Sequence, residues 1–191
     1  MKRIIICCIS LLVSCIIQAQ NEKSVEDTTM NMTDIRKAME QYDYEVVIDI
    51  VPPMAGDTLF TPLRAQALKS MGRLSETLAE WNSLLSADSA NVKLIMELAE
   101  CYRQLGNINN TIDCYRKAIE LKPQNKFFRI QHIRTLLNAR KYEKAKTACH
   151  EWLKIDTISA VGYKYLGQVY EGMTTEENNE LLNAFLCYNM A

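Results

Sequence analysis

Cys149-His150 sets a thiol beside an imidazole, the residue types of a nucleophile and its general base. Neighbours on a helix project about 100° apart, so the two side chains cannot face each other, and Cys149 falls on an apolar packing register. His132 occupies a helix position that packs on a partner helix, which makes it a core imidazole, and no further ligand accompanies it. Cys101, Cys114, Cys149 and Cys187, the four cysteines beyond residue 20, form no Cys-x-x-Cys pair and no zinc spacing. Cys101 and Cys114 flank one turn almost symmetrically; they read as small buried apolar side chains, with a disulfide between facing helices as the alternative. Gly162-x4-Gly167-Gln168-Val169 has the outline of a phosphate loop, yet it lacks the Lys and Ser/Thr and follows no strand. Glu176, Glu177 and Glu180 precede an apolar run, where carboxylates complement a helix N-terminus. No nucleophile, base and stabiliser come together, so the sequence assigns no catalytic residue, no cofactor and no metal, and it does not read as an enzyme.

The elements that would position such groups share one period. Leu68, Tyr102, Leu136 and Tyr170 are 34 residues apart, and so are Ala65, Ala99, Ile133 and Gly167. Two apolar registers held together over more than a hundred residues mark stacked helical hairpins, which bury their faces only against copies of themselves. The pattern predicts helices over 33–41, 44–54, 61–71, 74–86, 91–105, 108–121, 125–139, 142–155, 158–173 and 176–190. Pro52-Pro53 should end or bend the second of these. Composition agrees with a helical chain: of 191 residues 48% are apolar and 24% charged, with six Gly and four Pro. No dense Lys/Arg block offers a footprint for nucleic acid or an anionic membrane surface.

Residues 1–19 read as a signal peptide, with Met1-Lys2-Arg3 as the charged start, Ile4 to Ile17 as the apolar stretch and cleavage expected near Ala19. That stretch is too short for a membrane span, which needs roughly 20 residues. The alternative is Leu12-Val13-Ser14-Cys15, which resembles a lipoprotein processing site and would acylate Cys15 into a lipid anchor; Ile16 and Ile17 argue against it. Either way the folded part is expected outside the cytoplasm, periplasmic or associated with the cell envelope. Removing Lys2 and Arg3 from 22 basic residues leaves 20 against 23 acidic ones, a net charge near -3. Residues 20–32 have no helical period and read as a flexible tether. Residues 33–57 read as a degenerate helical hairpin that caps the array.

Residues 58–191 resemble tetratricopeptide repeats, in registers 58–91, 92–125, 126–159 and a partial 160–191. Tyr163-x2-Leu166-Gly167-x2-Tyr170 is similar to the family's opening pattern with Tyr for Trp, and Thr111-x3-Tyr115-x2-Ala118 followed by Pro123 follows its second-helix order. The resemblance implies an all-α fold, a right-handed superhelical solenoid of antiparallel hairpins, that acts as a protein-interaction scaffold. Small residues should meet where helices cross, at Ala65 with Thr77 and Ala99 with Thr111, while Ile133 opposite Ala145 should splay its hairpin slightly. Gly72 and Gly106 should close turns in the left-handed conformation; Arg140 in their place requires a different turn or a strained one. Thr61 before Pro62 reads as an N-cap. Asp57-Thr58-Leu59, Asp88-Ser89-Ala90 and Asp156-Thr157-Ile158 at inter-repeat turns either cap helices or resemble acceptors of a bacterial O-glycosylation system for exported proteins.

By the same resemblance a protein or peptide partner would lie along the leading helices of the hairpins. One helix contributes Lys93, Met96, Glu100, Arg103 and Gln104; the next contributes Phe127, Ile130, Arg134 and Asn138; a third contributes Lys164 and Gln168. Met96, Phe127 and Ile130 make an apolar strip flanked by Arg103 and Arg134, suited to a peptide with apolar anchors. The carboxylate clamp of chaperone-binding members is not matched, because Met96, Glu100, Ile130 and Gln168 stand where it needs basic residues and asparagines. The last repeat accepts the second-helix pattern Ala184-x3-Tyr188-x2-Ala191 only after about five extra residues near 174–180. Leu181, Leu182, Phe185, Leu186 and Met190 there form an apolar edge. That edge reads as the cut face of a longer array, or, in an assembly subunit, as a surface for oligomerisation.

Overall fold

The structure, a computed structural model of the chain, describes residues 32–53, 57–175 and 179–191. The leader, Cys15, the tether up to residue 31, and Glu176 and Glu177 lie outside the described residues. Those that are described form helices and turns, with no strand among them. Helix α1 covers 32–40 and α2 Tyr44–Ile50; α3 is Thr61–Ser70, α4 Leu74–Ala87, α5 Val92–Gln104, α6 Ile108–Leu121, α7 Lys126–Asn138, α8 Tyr142–Ile155, α9 Ala160–Met173 and α10 Leu181–Asn189. The chain divides into two compact units, one ending at Arg73 and the other running Leu74–Ala191.

In the first unit Ile35, Ala38, Val47, Val51 and Ala67 form one buried cluster under Tyr44, Phe60 and Leu63. Helix α2 stops short of the expected residue 54, because a residue before proline is pushed out of the helical region; Val51, ahead of Pro52, is extended at φ -104° and ψ 95°. The carbonyls left open there find a side chain. Arg64 of α3, only 7% exposed, donates from Nη1 to the carbonyl oxygens of Ile48 at 2.9 Å and Val51 at 2.6 Å. Thr61 is the first helical residue and not the N-cap; Phe60 holds the cap position, while the Asp57 carboxylate accepts from the backbone N–H groups of Leu59 and Phe60 at 2.7 and 2.8 Å.

The second unit is a run of antiparallel hairpins in which each helix packs on the next, from α4 to α10. Several helices begin one or two residues later than the pattern suggests, because Asn91, Asn125 and Ser159 act as N-caps with their side-chain oxygens on the first turns of α5, α7 and α9. The small residues of the crossing register, Thr77, Ala99, Thr111, Ala145 and Ala184, are all buried, and so is Ile133. The contact between α7 and α8 is smaller than that between α5 and α6, in keeping with the bulk of Ile133 at their crossing. Ile133, Leu136, Ala145, Cys149, Trp152, Leu166 and Val169 form the main core.

Three turns repeat one geometry at the same period. Arg73 N–H donates to Leu68 O, Asn107 to Tyr102 O and Lys141 to Leu136 O, at 2.8–2.9 Å. The residue before each donor is left-handed: Gly72 at φ 74°, Gly106 at 71° and Arg140 at 54°. Arg140 therefore keeps the glycine turn and carries the Cβ strain of that region. Tyr42, at φ 60°, does the same between α1 and α2, four residues out of the later register.

Candidate partner-binding site

The leading helices α5, α7 and α9 carry the expected partner-facing register. On α5, Lys93 is exposed, while Met96 is half-buried and packs into the cluster of Ile95, Ala118 and Phe128. Glu100 gathers its neighbours. It accepts from Arg103 Nε at 2.8 Å and Nη2 at 2.6 Å, and from Gln104 Nε2 at 2.7 Å. The hydrogen bond and charge of Glu100 raise the Arg103 pKa. Three side chains of the expected site thus satisfy one another.

On α7, Phe127 is 52% exposed and meets Phe128 edge-on, with ring centroids 5.8 Å apart. Ile130 is half-buried against the main core. The expected strip therefore presents Phe127 fully and only the rims of Met96 and Ile130. The N-terminal end of α7 is tied to the next hairpin turn by Lys126, which pairs with Asp156 at 2.9 Å and draws that carboxyl below its usual range.

The C-terminal halves of α7 and α9 open into a cavity of about 440 Å³ lined by Arg134, Leu137, Asn138, Tyr142, Tyr165, Gln168, Glu171 and Gly172. It unites Arg134, Asn138 and Gln168 of the expected residues; Lys164, exposed on α9, lies outside the lining. Gly172 explains one wall. A Cβ there would come within 2.4 Å of the Tyr142 ring, so only glycine lets that ring lie against α9. Gly167 plays the same part for Tyr188, whose ring a Cβ would approach to 2.6 Å. The Tyr188 hydroxyl then donates to Glu171 at 2.8 Å, and this bond, with burial as the larger cause, pushes the phenol up to about 12. Tyr142, Tyr165 and Gly172 were not marked by the repeat register. A lone glycine inside a helical pattern, one period after Asn138, was the available signal of a close approach.

The residues singled out for other chemistry have structural places. Cys149 is fully buried with its thiol pushed up to about 12 by burial, whereas His150 is exposed, so the two point apart. Cys101 and Cys114 are not joined in a disulfide; the first is buried and the second half-buried, its thiol raised to about 11 chiefly by burial. Gly162 and Gly167 sit under Leu153 and Tyr188 as packing glycines. His132 lines a second cavity, of about 280 Å³, with Arg116, Glu120, Arg129 and Glu151. Burial, then Arg116 and Arg129, lowers its pKa to about 4, so the imidazole is neutral near pH 7. Arg129 in turn donates from Nε and Nη2 to Pro123 O at 3.2 and 2.9 Å. One period earlier the same positions hold Ile95 and Leu98, both core residues.

This geometry is an all-helical fold of stacked hairpins, similar to a tetratricopeptide-repeat solenoid. The family model described as tetratricopeptide repeat matches residues 92–125. Solved structures share the fold: a MamA protein at 14% identity and TM-score 0.63, covering 86% of this chain and 90% of that one; MamA AMB-1 at 18% and 0.63, covering 87% and 91%; and MamA 41-end from Desulfovibrio magneticus RS-1 at 16% and 0.52, covering 72% and 77%. Comparison with curated proteins returned no match.

Proposed function

We propose that the chain is an exported, non-catalytic scaffold that binds a protein or peptide partner in the bacterial cell envelope through the leading-helix face of α5, α7 and α9. The observation that carries this is the cavity between α7 and α9, which gathers Arg134 and Asn138 of one repeat with Gln168 of the next. Export rests on the leader pattern at 1–19. Affinity capture from envelope extract tests the face, with Phe127→Ala and Gln168→Ala as variants, since both side chains reach the surface and neither is a core residue. Loss of the captured species supports the reading; capture unchanged by both variants removes it. Intact mass of the protein from its native cells tests export: a mass lacking residues 1–19, or one starting at an acylated Cys15, supports it, and a retained leader overturns it.

A second reading is supported by α10. Leu182, Phe185 and Met190 are 60–69% exposed, and Leu182 and Leu186 stand where the preceding hairpin has Glu143 and Thr147 five residues out of step. A helix apolar on its outward face suits a subunit that joins copies of itself or a larger envelope assembly. Sedimentation of the chain with Phe185→Glu and Leu186→Glu separates the two readings, because a concentration-dependent dimer abolished by these charges belongs to the edge and not to the face.

A further inference from the structure

We propose that the cavity between α7 and α9 takes a carboxylate side chain of an extended peptide, with the acid on Arg134 and the adjoining peptide units on Asn138 and Gln168. This rests on the scaffold reading above and narrows it to a ligand chemistry. The open guanidinium of Arg134 decides the class. Arg134 is exposed and, among the described residues, has no hydrogen bond or ion pair; the same holds for the side chains of Asn138, Gln168, Tyr142 and Tyr165. Arg103, on the leading helix one repeat earlier, is by contrast clasped by Glu100.

The lining therefore offers one unpaired guanidinium, beside two amides and two phenolic hydroxyls that can each donate or accept, and one carboxylate. That carboxylate, Glu171, already accepts from Tyr188 at 2.8 Å. The guanidinium only donates and is left open, and it matches a carboxylate in two parallel hydrogen bonds. Each amide side chain pairs one donor with one acceptor, the complement of a peptide unit. Glu171 fixes polarity: its charge repels a second acid, so a single Asp or Glu among neutral residues fits and an acidic run does not. Leu137 and the rings of Tyr142 and Tyr165 supply apolar walls, and the volume of about 440 Å³ lies within the range of ligand pockets.

The test is fluorescence anisotropy with end-capped octapeptides randomised over Ala, Leu, Ser and Tyr around a fixed central Glu, Gln or Lys, plus the Gln set with a free C-terminus. Wild type is expected to bind the Glu set at least about tenfold more tightly than the Gln set. Arg134→Gln should erase that preference, and Arg134→Glu should transfer it to the Lys set; Arg134 is exposed, and circular dichroism checks that both variants fold. Equal binding of Glu and Gln peptides, with both weakened by Gln168→Ala, overturns the carboxylate assignment and leaves the scaffold reading standing. A preference confined to free C-termini also overturns it, since the acid would then be a chain end. Binding of none of the sets counts against both.

Discussion

Helix α5 and the α7–α9 pair occupy the same register of successive repeats, yet they offer a partner different things. On α5 the polar groups close on themselves: Glu100 holds both Arg103 and Gln104. One and two periods later the equivalents of Glu100 are Arg134 and Gln168, which cannot play that part, and the groups around them stay open to a cavity. A repeat thus dictates where a side chain stands; which neighbours lie three and four residues along decides whether it is available.

The largest effect expected is on the cavity's outer support. Gly167→Leu would force a side chain into the Tyr188 ring and undock α10 from α9, a loss of about 3 kcal/mol in denaturant unfolding. An unchanged midpoint would show that α10 does not brace this region. Next is the pH dependence from His132. Its folded pKa, about 4, lies below the ordinary 6.5, so the unfolded chain binds the proton more readily. The stability is complete above about pH 6.5 and falls as pH drops towards 4, by roughly 2–3 kcal/mol. His132→Leu, which restores the residue found at Leu98 and Leu166, should flatten the profile over that window.

Gly172→Ala comes third. It should push the Tyr142 ring out of the cavity wall and weaken partner capture about tenfold, roughly 1.4 kcal/mol, while leaving α5 untouched. Equal capture would mean that the tyrosine wall is irrelevant to binding. Arg140→Gly should stabilise the chain by about 1 kcal/mol, by relieving the left-handed Cβ strain at a turn whose hydrogen bonds match those at Gly72 and Gly106. The smallest effect tests the comparison directly. Glu100→Gln should free Arg103 and raise binding of an acidic peptide about threefold at low salt, with the gain lost at high salt; no gain would show that α5 is silent for reasons other than its own pairing.

Much of the fold was legible because it is periodic. The helical pattern placed the helices among the described residues to within a few residues of their observed bounds, with α2 and α10 the exceptions. The first stops early at Val51, and the second is displaced by the inserted residues after Met173. The same periodicity foresaw the buried small residues at the crossings and left Arg140 either a different turn or a strained one, of which the structure has the strained one. The site was only partly legible. Register placed Arg134, Asn138 and Gln168 on one face, but it could not show that Met96 and Ile130 spend much of their surface on the core, or that Glu100 neutralises Arg103. Tyr142 belongs to a trailing helix and enters the site only because Gly172 has no side chain, a relation between residues 30 apart that no local pattern encodes. Arg64 was missed for a similar reason: its partners are backbone carbonyls of another helix.

Tyr188 reaches Glu171 from a helix whose opposite flank is bare and greasy. One phenol therefore links α10 to Glu171 in the cavity wall. Were the proposed ligand and a cover on that helix to be coupled through this phenol, the coupling would be reciprocal: a cover that changes the wall's affinity by some factor would have its own affinity changed by the same factor when the wall is occupied.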